Sequence, residues 1–166
     1  MTVEQIYTGC LAQGAYYIVS GGEAAIIDPL REIKPYLDRL KRDGVKLKYI
    51  FETHFHADFV SGHLDLAKAT GAKIIYGPNA DCGFECVIAD DNQLFKLGDV
   101  MFKVLHTPGH TMESTTYLLL DEQGKEHAVF TGDTLFIGDV GRPDLSQKGA
   151  DLTMEDLAGY LYESLI

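Results

Sequence analysis

Two histidines stand two residues apart directly after an apolar run of the sequence. The run from 47 to 51 leads into the hexapeptide T-H-F-H-A-D, which contains His54 and His56. Side chains at positions i and i+2 of an extended segment point to the same side of the chain, so both imidazoles can face one ion. Because imidazole is the commonest metal-binding side chain, this spacing indicates a metal site.

Two further metal-binding side chains follow apolar runs later in the sequence. His110 lies in the turn T-P-G-H-T after the run from 100 to 105, and Asp133 lies in T-G-D-T after the run from 127 to 130. Proline and glycine favour tight turns, and open sheets bind their ligands where strands end. The three segments together predict a metal site of His54, His110 and Asp133. The remaining histidines are interpreted as surface or packing residues: His63, His106 and His127.

Strands and helices of one mixed domain, residues 1–166, are expected to position these segments. Helical spacing of apolar residues predicts a helix that ends at Gly44, a second from Ser61 to Thr70, and a third capped by Thr153. The third helix is expected to present one apolar face. Leu157, Tyr160 and Leu161 form that face. Apolar and alternating runs predict strands at 6–7, 15–19, 24–27, 47–51, 73–76, 100–105, 115–120 and 127–130.

Composition limits the classes of partner. A formal net charge of -11 and a pI near 4.8 repel phosphate backbones and anionic bilayers, so neither nucleic acid nor a membrane is expected as a partner. The sequence has no leader pattern and no apolar run of about 20 residues, so a cytoplasmic protein is expected. Cys10, Cys82 and Cys86 are interpreted as reduced thiols, and a redox role for the last two stays open.

The motifs resemble the metallo-β-lactamase superfamily. The resemblance is carried by T-H-F-H-A-D-F-V-S-G at 53–62, T-P-G-H-T at 107–111 and F-T-G-D-T-L-F at 130–136, and it covers nearly the whole chain. Together with G-R-P-D-L at 141–145, the sequence looks most like the persulfide dioxygenases of that superfamily, including bacterial forms fused to rhodanese domains. The resemblance implies an α+β fold, the αββα four-layer sandwich, with its site at one edge of the two sheets.

One departure from the superfamily pattern bears on the number of metal ions. Binuclear zinc hydrolases carry a histidine after the motif aspartate, whereas Asp58 is followed by Phe59, which cannot bind a metal. The resemblance then implies one Fe(II) per chain, held by His54, His110 and Asp133. Two histidines and one carboxylate with open positions suit non-haem iron and O₂. Zinc is the alternative ion.

Neighbouring residues are expected to complete the site. The resemblance places His56 and Asp58 close to the ion, as partners that orient ligands and water, and His56 as a fourth ligand is the competing assignment. Arg142 matches the position of a family arginine near the carboxylate of a thiol substrate, for which a guanidinium is well suited. An ordinary surface salt bridge is the other interpretation of Arg142.

Three functions follow from these motifs. The main expectation is a persulfide dioxygenase that uses O₂ to oxidise the persulfide of glutathione, coenzyme A or a similar thiol to sulfite. The second is a glyoxalase II-like thioester hydrolase of the hydroxyacylglutathione hydrolase type, against which Phe59 argues. The third is an inactive or partial domain with an interaction role, because the family's later Pro-x-His motif has no counterpart before Ile166. Such a truncated sandwich could form a homodimer, and a rhodanese domain could follow it in a longer chain.

Overall fold

Two β-sheets packed face to face carry the three predicted ligand segments at one edge. The computed structural model of the protein describes residues 1–144 and 152–166. Its helices are α1 (Lys34–Asp43), α2 (His63–Thr70) and α3 (Met154–Leu165). Its strands are β1 (Thr2–Thr8), β2 (Gln13–Ser20), β3 (Glu23–Ile27), β4 (Lys46–Phe51), β5 (Lys73–Tyr76), β6 (Val87–Ile88), β7 (Leu94–Leu97), β8 (Val100–His106), β9 (Thr115–Leu120), β10 (Glu126–Phe130), β11 (Leu135–Phe136) and β12 (Asp139–Val140).

The first sheet has six strands in the order β1-β2-β3-β4-β5-β6. Strands β1 to β3 pair antiparallel, whereas β3 to β6 pair in parallel. The turn between β2 and β3 contains Gly21 and Gly22, which have positive φ angles. Because neighbouring parallel strands end at the same edge of a sheet, the loops that follow β3 and β4 lie side by side.

The second sheet has four antiparallel strands in the order β10-β9-β8-β7. Strands β8 and β10 both pair antiparallel with β9, so they run in the same direction. Their carboxyl ends therefore lie at one edge of the sheet. The T-P-G-H-T turn follows β8 there, and the 3-10 turn Gly132–Thr134 follows β10.

Aromatic side chains fill the space between the two sheets. The ring of Phe51 lies 4.7 Å from that of Tyr117 and 4.8 Å from that of Phe102, and all three side chains are fully buried. The Tyr117 hydroxyl donates a hydrogen bond of 2.9 Å to the carbonyl oxygen of Glu52. This contact ties β9 to the end of β4, two residues before the first predicted ligand.

Helices cover the outer sides of the sheets. Tyr36 of α1 and Leu66 of α2 are buried against the outer face of the first sheet, and α1 ends as predicted where Gly44 takes the left-handed conformation. Helix α3 lies on the side of the second sheet. Its Leu161 is packed so closely on the turn after β8 that a Cβ added to Gly109 would lie 2.4 Å from the Leu161 Cβ. The order helix, sheet, sheet, helix confirms the predicted αββα fold.

Some local elements differ from the sequence prediction. Strands β6 and β7 were not predicted, because runs of two and four residues carry too little periodicity. Helix α2 begins at His63 rather than Ser61, because the backbone of Ser61 instead forms an isolated β-bridge with Leu30. On the predicted apolar face of α3, Leu157 and Leu161 are buried, whereas Tyr160 is 41% exposed. Within residues 1–144 and 152–166, no helix is long and apolar enough to cross a membrane.

Candidate metal centre

The first predicted ligand, His54, is oriented by hydrogen bonds that start at Asp28. The Asp28 carboxylate accepts from the backbone N–H and from the hydroxyl of Thr53, each at 2.8 Å. Because the Thr53 hydroxyl proton is used in this way, its oxygen accepts from Nδ1 of His54 at 3.0 Å. The His54 ring therefore carries its proton on Nδ1, and its Nε2 is available to a metal.

The second predicted ligand, His110, is oriented in the same manner. Its Nδ1 lies 3.0 Å from the carbonyl oxygen of Arg142. A carbonyl oxygen can only accept a hydrogen bond, so Nδ1 carries a proton. Nε2 is directed toward Asp133. A backbone hydrogen bond of 2.9 Å from Thr107 to Ser114 closes the turn that projects the ring.

Asp133 adds a carboxylate between the two imidazoles. Its Oδ2 lies 3.6 Å from Nε2 of His110 and 4.0 Å from Nε2 of His54. All three ligand atoms lie within 4.8 Å of one another. Ligands held at roughly 2.0–2.2 Å from a zinc ion are about 3 to 3.6 Å apart, so these three atoms fit one ion after small movements. The structure thus brings the three predicted ligands together.

A second buried group of possible ligands lies beside the first. Nε2 of His56 is 3.1 Å from Oδ1 of Asp28 and 3.6 Å from Oε2 of Glu52. Glu52 also accepts a hydrogen bond of 2.7 Å from the hydroxyl of Ser61. The ligand atoms of this group likewise lie within 4.8 Å of one another. His56 therefore turns its Nε2 to two carboxylates, while its ring centre stands 4.2 Å from that of His54.

Burial and charge set the protonation of the two neighbouring histidines in opposite directions. Burial, together with the charge of His56, lowers the pKa of His54 to about 4, so this ring is neutral at pH 7. Burial alone would also lower the pKa of His56, but the adjacent Asp28 carboxylate raises it to about 9. Burial and the charge of Asp28 raise the pKa of Glu52 well above its ordinary value. His54 is thus in the form that binds a metal, and His56 forms an imidazolium beside Asp28.

Close backbone contacts hold the site loops of both sheets together. Asp28 has a φ of 48°, which is unusual for a residue other than glycine and typical of a functional site. A Cβ added to Gly132 would lie 2.4 Å from Oγ1 of Thr53, on the opposite sheet. A Cβ added to Gly141 would lie 1.7 Å from the carbonyl oxygen of Asp133. Only glycine fits at these two positions, so their small size allows the ligands to approach each other.

The other predicted site residues lie at the margin. Asp58 is exposed and lines a cavity next to Asp133. The Arg142 side chain is 68% exposed and its guanidinium pairs with Asp144 at 2.6 Å, the arrangement of a surface salt bridge. The backbone of Arg142, rather than its side chain, therefore contacts the site. Leu145, the last residue of the G-R-P-D-L motif, lies outside the described residues.

The histidines interpreted as surface or packing residues lie away from the three ligand atoms. The ring of His63 packs against that of Phe84 at 4.9 Å. Nε2 of His106 lies 2.9 Å from the carbonyl oxygen of Met112, and His127 is exposed on β10. None of the three belongs to either group of potential ligands among the described residues.

Sequence reasoning missed Asp28 and Glu52. Neither residue was assigned to the site from the sequence. His54 was predicted because a metal-binding side chain follows an apolar strand. The same pattern could have indicated both carboxylates, since Asp28 directly follows β3 and Glu52 directly follows β4. Those strands are parallel neighbours, so their ends meet.

Comparison with known families decides the classification. The sequence matches the family model of the metallo-β-lactamase superfamily over residues 8–165. The chain belongs to this superfamily. Its members are metal-dependent enzymes, which agrees with the candidate metal-binding groups described above.

Curated relatives carry the name of a thioester hydrolase. A probable hydroxyacylglutathione hydrolase of Schizosaccharomyces pombe is 40% identical over 123 residues, which are 72% of this chain and 47% of that protein. A cytoplasmic hydroxyacylglutathione hydrolase of Arabidopsis thaliana is 33% identical over 138 residues, 80% of this chain and 53% of the relative. This chain therefore spans about half the length of these relatives.

Solved structures show the same fold. A metallo-β-lactamase from Staphylococcus aureus superposes with a TM-score of 0.88 at 35% identity, over 99% of this chain and 51% of the other. ETHE1 from Myxococcus xanthus superposes with a TM-score of 0.84 at 30% identity, over 99% of this chain and 68% of the other. Both contain the sandwich described above.

These findings correct the functional prediction. The expected persulfide dioxygenase activity is wrong, because the curated sequence relatives are named hydroxyacylglutathione hydrolases. The thioester hydrolase, the alternative in the sequence analysis, agrees with those names. The predicted superfamily is confirmed, and members of that superfamily are metal-dependent enzymes.

Proposed function

We propose that this protein is a metal-dependent thioester hydrolase of the hydroxyacylglutathione hydrolase type. The observation that carries the proposal is the pair of imidazoles of His54 and His110, which both direct Nε2 toward the Asp133 carboxylate. Two histidines and one carboxylate leave a bound ion with an open position, as in catalytic zinc sites. The names of the sequence relatives support the same class of reaction.

A single zinc ion per chain suits this reaction best. Zinc is redox-inert and accepts nitrogen and oxygen ligands, which are the atoms that His54, His110 and Asp133 offer. When bound, it would supply Lewis acidity that polarises a thioester carbonyl and lowers the pKa of water. Phe59 stands where binuclear hydrolases of the superfamily carry a histidine, so we place one ion at these three ligands.

The side chains around the ligands would fix their orientation and move a proton. The Nδ1 protons of His54 and His110 each have a fixed acceptor, so neither ring can turn its Nε2 away without losing a hydrogen bond. The ring of His56 supports that of His54 by direct contact. Asp58 lies on the cavity wall near Asp133, where its carboxylate could accept a proton from the attacking water.

The proposed substrate is a glutathione thioester. Hydrolysis would release a carboxylic acid and free glutathione. A cytoplasmic location is part of the proposal, since the Arabidopsis relative is named a cytoplasmic enzyme.

The test measures metal binding and thioester cleavage on the same preparation. Metal-free protein is titrated with zinc, and release of the glutathione thiol from S-lactoylglutathione is followed at each step. We expect cleavage to rise up to one equivalent of zinc. His110→Ala should lower kcat/KM at least about 100-fold, because it removes one of three ligands. His127→Ala is the matched control, since this histidine is exposed on β10, and it should retain full activity.

Two results would contradict the proposal in different ways. Tight binding of zinc without any thioester cleavage would exclude the hydrolase. Equal cleavage by His110→Ala and His127→Ala would exclude the assigned ligands. Titration with Fe(II) in parallel tests the identity of the metal ion. Cleavage that requires iron would show that the ion is Fe(II) rather than zinc.

A further inference from the structure

A cavity of about 690 Å³ opens beside the candidate metal centre. Its floor includes Asp133, His56 and Asp58. Its volume lies within the range of roughly 300–1,000 Å³ in which small-molecule sites fall. The cavity therefore reaches the place where a substrate carbonyl would meet the ion.

The cavity is partly open to solvent, and large apolar side chains stand beside polar ones in its lining. Tyr7 and Leu11, from the β1–β2 hairpin, form one side, and both are exposed. Phe136 and Ile137, from the β11–β12 hairpin, also line the cavity, and Ile137 projects fully into solvent. Large apolar side chains grouped around one opening are typical of a surface that binds an apolar partner. Because these side chains line the same cavity as Asp133, such a partner would lie beside the metal centre.

The charged side chains that line the cavity are mostly acidic. Asp28, Asp58 and Asp133 contribute carboxylates to its lining, and His56 is its one basic side chain among the described residues. No lysine or arginine of residues 1–144 and 152–166 lines it. The net charge of -11 adds to the repulsion of anions. The carboxylates and phosphates of common carrier thiols therefore find no lysine or arginine among the described lining residues.

We propose that the cavity binds the acyl group of the thioester, and that this group is an uncharged apolar chain. The inference rests on the proposed hydrolase function and specifies its substrate class. A hydrocarbon chain placed between Phe136 and Leu11 would bury apolar surface on both hairpins while the thioester carbonyl points toward Asp133. The charged thiol carrier of the bound substrate would then extend through the open side of the cavity into solvent. A short hydroxylated acyl group would leave these apolar side chains exposed to water.

The first experiment compares glutathione thioesters that differ only in the acyl group. The zinc-loaded protein is assayed with S-lactoyl, S-acetyl, S-butanoyl and S-hexanoyl glutathione. We expect kcat/KM to rise about fourfold for each buried methylene and S-butanoylglutathione to exceed S-lactoylglutathione. Values independent of chain length, or highest for the lactoyl thioester, would overturn the inference and leave the hydrolase proposal intact.

A binding experiment keeps the inference testable if no thioester is cleaved. Affinities of S-methylglutathione and S-hexylglutathione for the protein as isolated are measured by calorimetry, which requires no catalysis. We expect the hexyl compound to bind more tightly, and Phe136→Ala to remove most of that difference. Leu94→Ala is the matched control, because Leu94 is an exposed leucine of β7 outside the cavity. Equal affinities of the two compounds for the unmodified protein would overturn the inference.

A change of charge provides the third readout. Phe136→Lys places a cation on the cavity wall, so we expect the preference for S-succinylglutathione over S-butanoylglutathione to increase at least tenfold. An unchanged ratio would show that the acyl group does not contact this wall, and would overturn the inference.

Discussion

Replacing Gly141 by alanine should weaken metal binding without touching any ligand side chain. The added Cβ would lie 1.7 Å from the carbonyl oxygen of Asp133 and 3.1 Å from the Cβ of His110. Real Cβ atoms essentially never approach another heavy atom closer than 3.0 Å. The Asp133 backbone and the 141 position must therefore move apart by at least about 1.3 Å, which is 3.0 minus 1.7. Either movement displaces a ligand.

The size of that displacement sets the expected loss of affinity. Zinc–ligand bonds are roughly 2.0–2.2 Å long, and a shift of about 1 Å at a site costs on the order of 100-fold. Position 141 also precedes the carbonyl that orients His110, so a backbone shift disturbs two of the three ligands. We expect the dissociation constant for zinc to rise about 100-fold, or about 2.7 kcal/mol.

Competition with a chelator of known affinity measures this change directly. Gly83→Ala serves as the control, because a Cβ at Gly83 would meet nothing within 4 Å, and its affinity should equal that of the unmodified protein. Circular dichroism verifies that both variants are folded. A folded Gly141→Ala variant whose zinc affinity lies within threefold of the control would refute the claim that this contact positions Asp133.

Two further predictions concern parts of the molecule outside the ligand set. Tyr117→Phe should lower the free energy of unfolding by about 1–2 kcal/mol, because the Glu52 carbonyl loses a buried donor; an unchanged urea midpoint would contradict this. Burial, reinforced by Cys86, raises the pKa of the Cys82 thiol from 9.0 to about 12, which lowers its thiolate fraction about 1,000-fold. Alkylation by iodoacetamide at pH 8, followed by mass spectrometry, should therefore modify the exposed Cys10 well before Cys82, and the reverse order would contradict the assignment.

Local sequence was sufficient to group the three proposed ligands but not to identify the residues that support them. His54, His110 and Asp133 each lie within four residues after the end of a strand, so their placement at a sheet edge depends on nearby residues alone. The pairing of Asp28 with Glu52 depends on which strands are neighbours, a property decided by contacts between distant parts of the chain. The periodicity of the sequence predicts where strands occur, but it does not predict their order within the sheet.

The reaction was harder to predict than the site. Phe59 bears on how many ions can bind, but it does not determine whether the bound ion activates O₂ or water. The same three ligand types serve both chemistries, so the choice of iron and a persulfide rested on resemblance rather than on geometry. The expected role of Arg142 also rested on resemblance rather than on geometry. In the structure its side chain pairs with Asp144, while its backbone carbonyl orients His110.

The three proposed ligands are divided between the two sheets. His54 follows β4 of the six-stranded sheet, whereas His110 and Asp133 follow strands of the four-stranded sheet. A single bound ion would therefore fasten the sheets to each other, and they could not separate without breaking its bonds. Free energy of metal binding then becomes free energy of folding, about 2.7 kcal/mol when the free ion is at 100 times its dissociation constant. The supply of metal in the cell would then govern how long a folded molecule survives, in addition to whether it can act on a substrate.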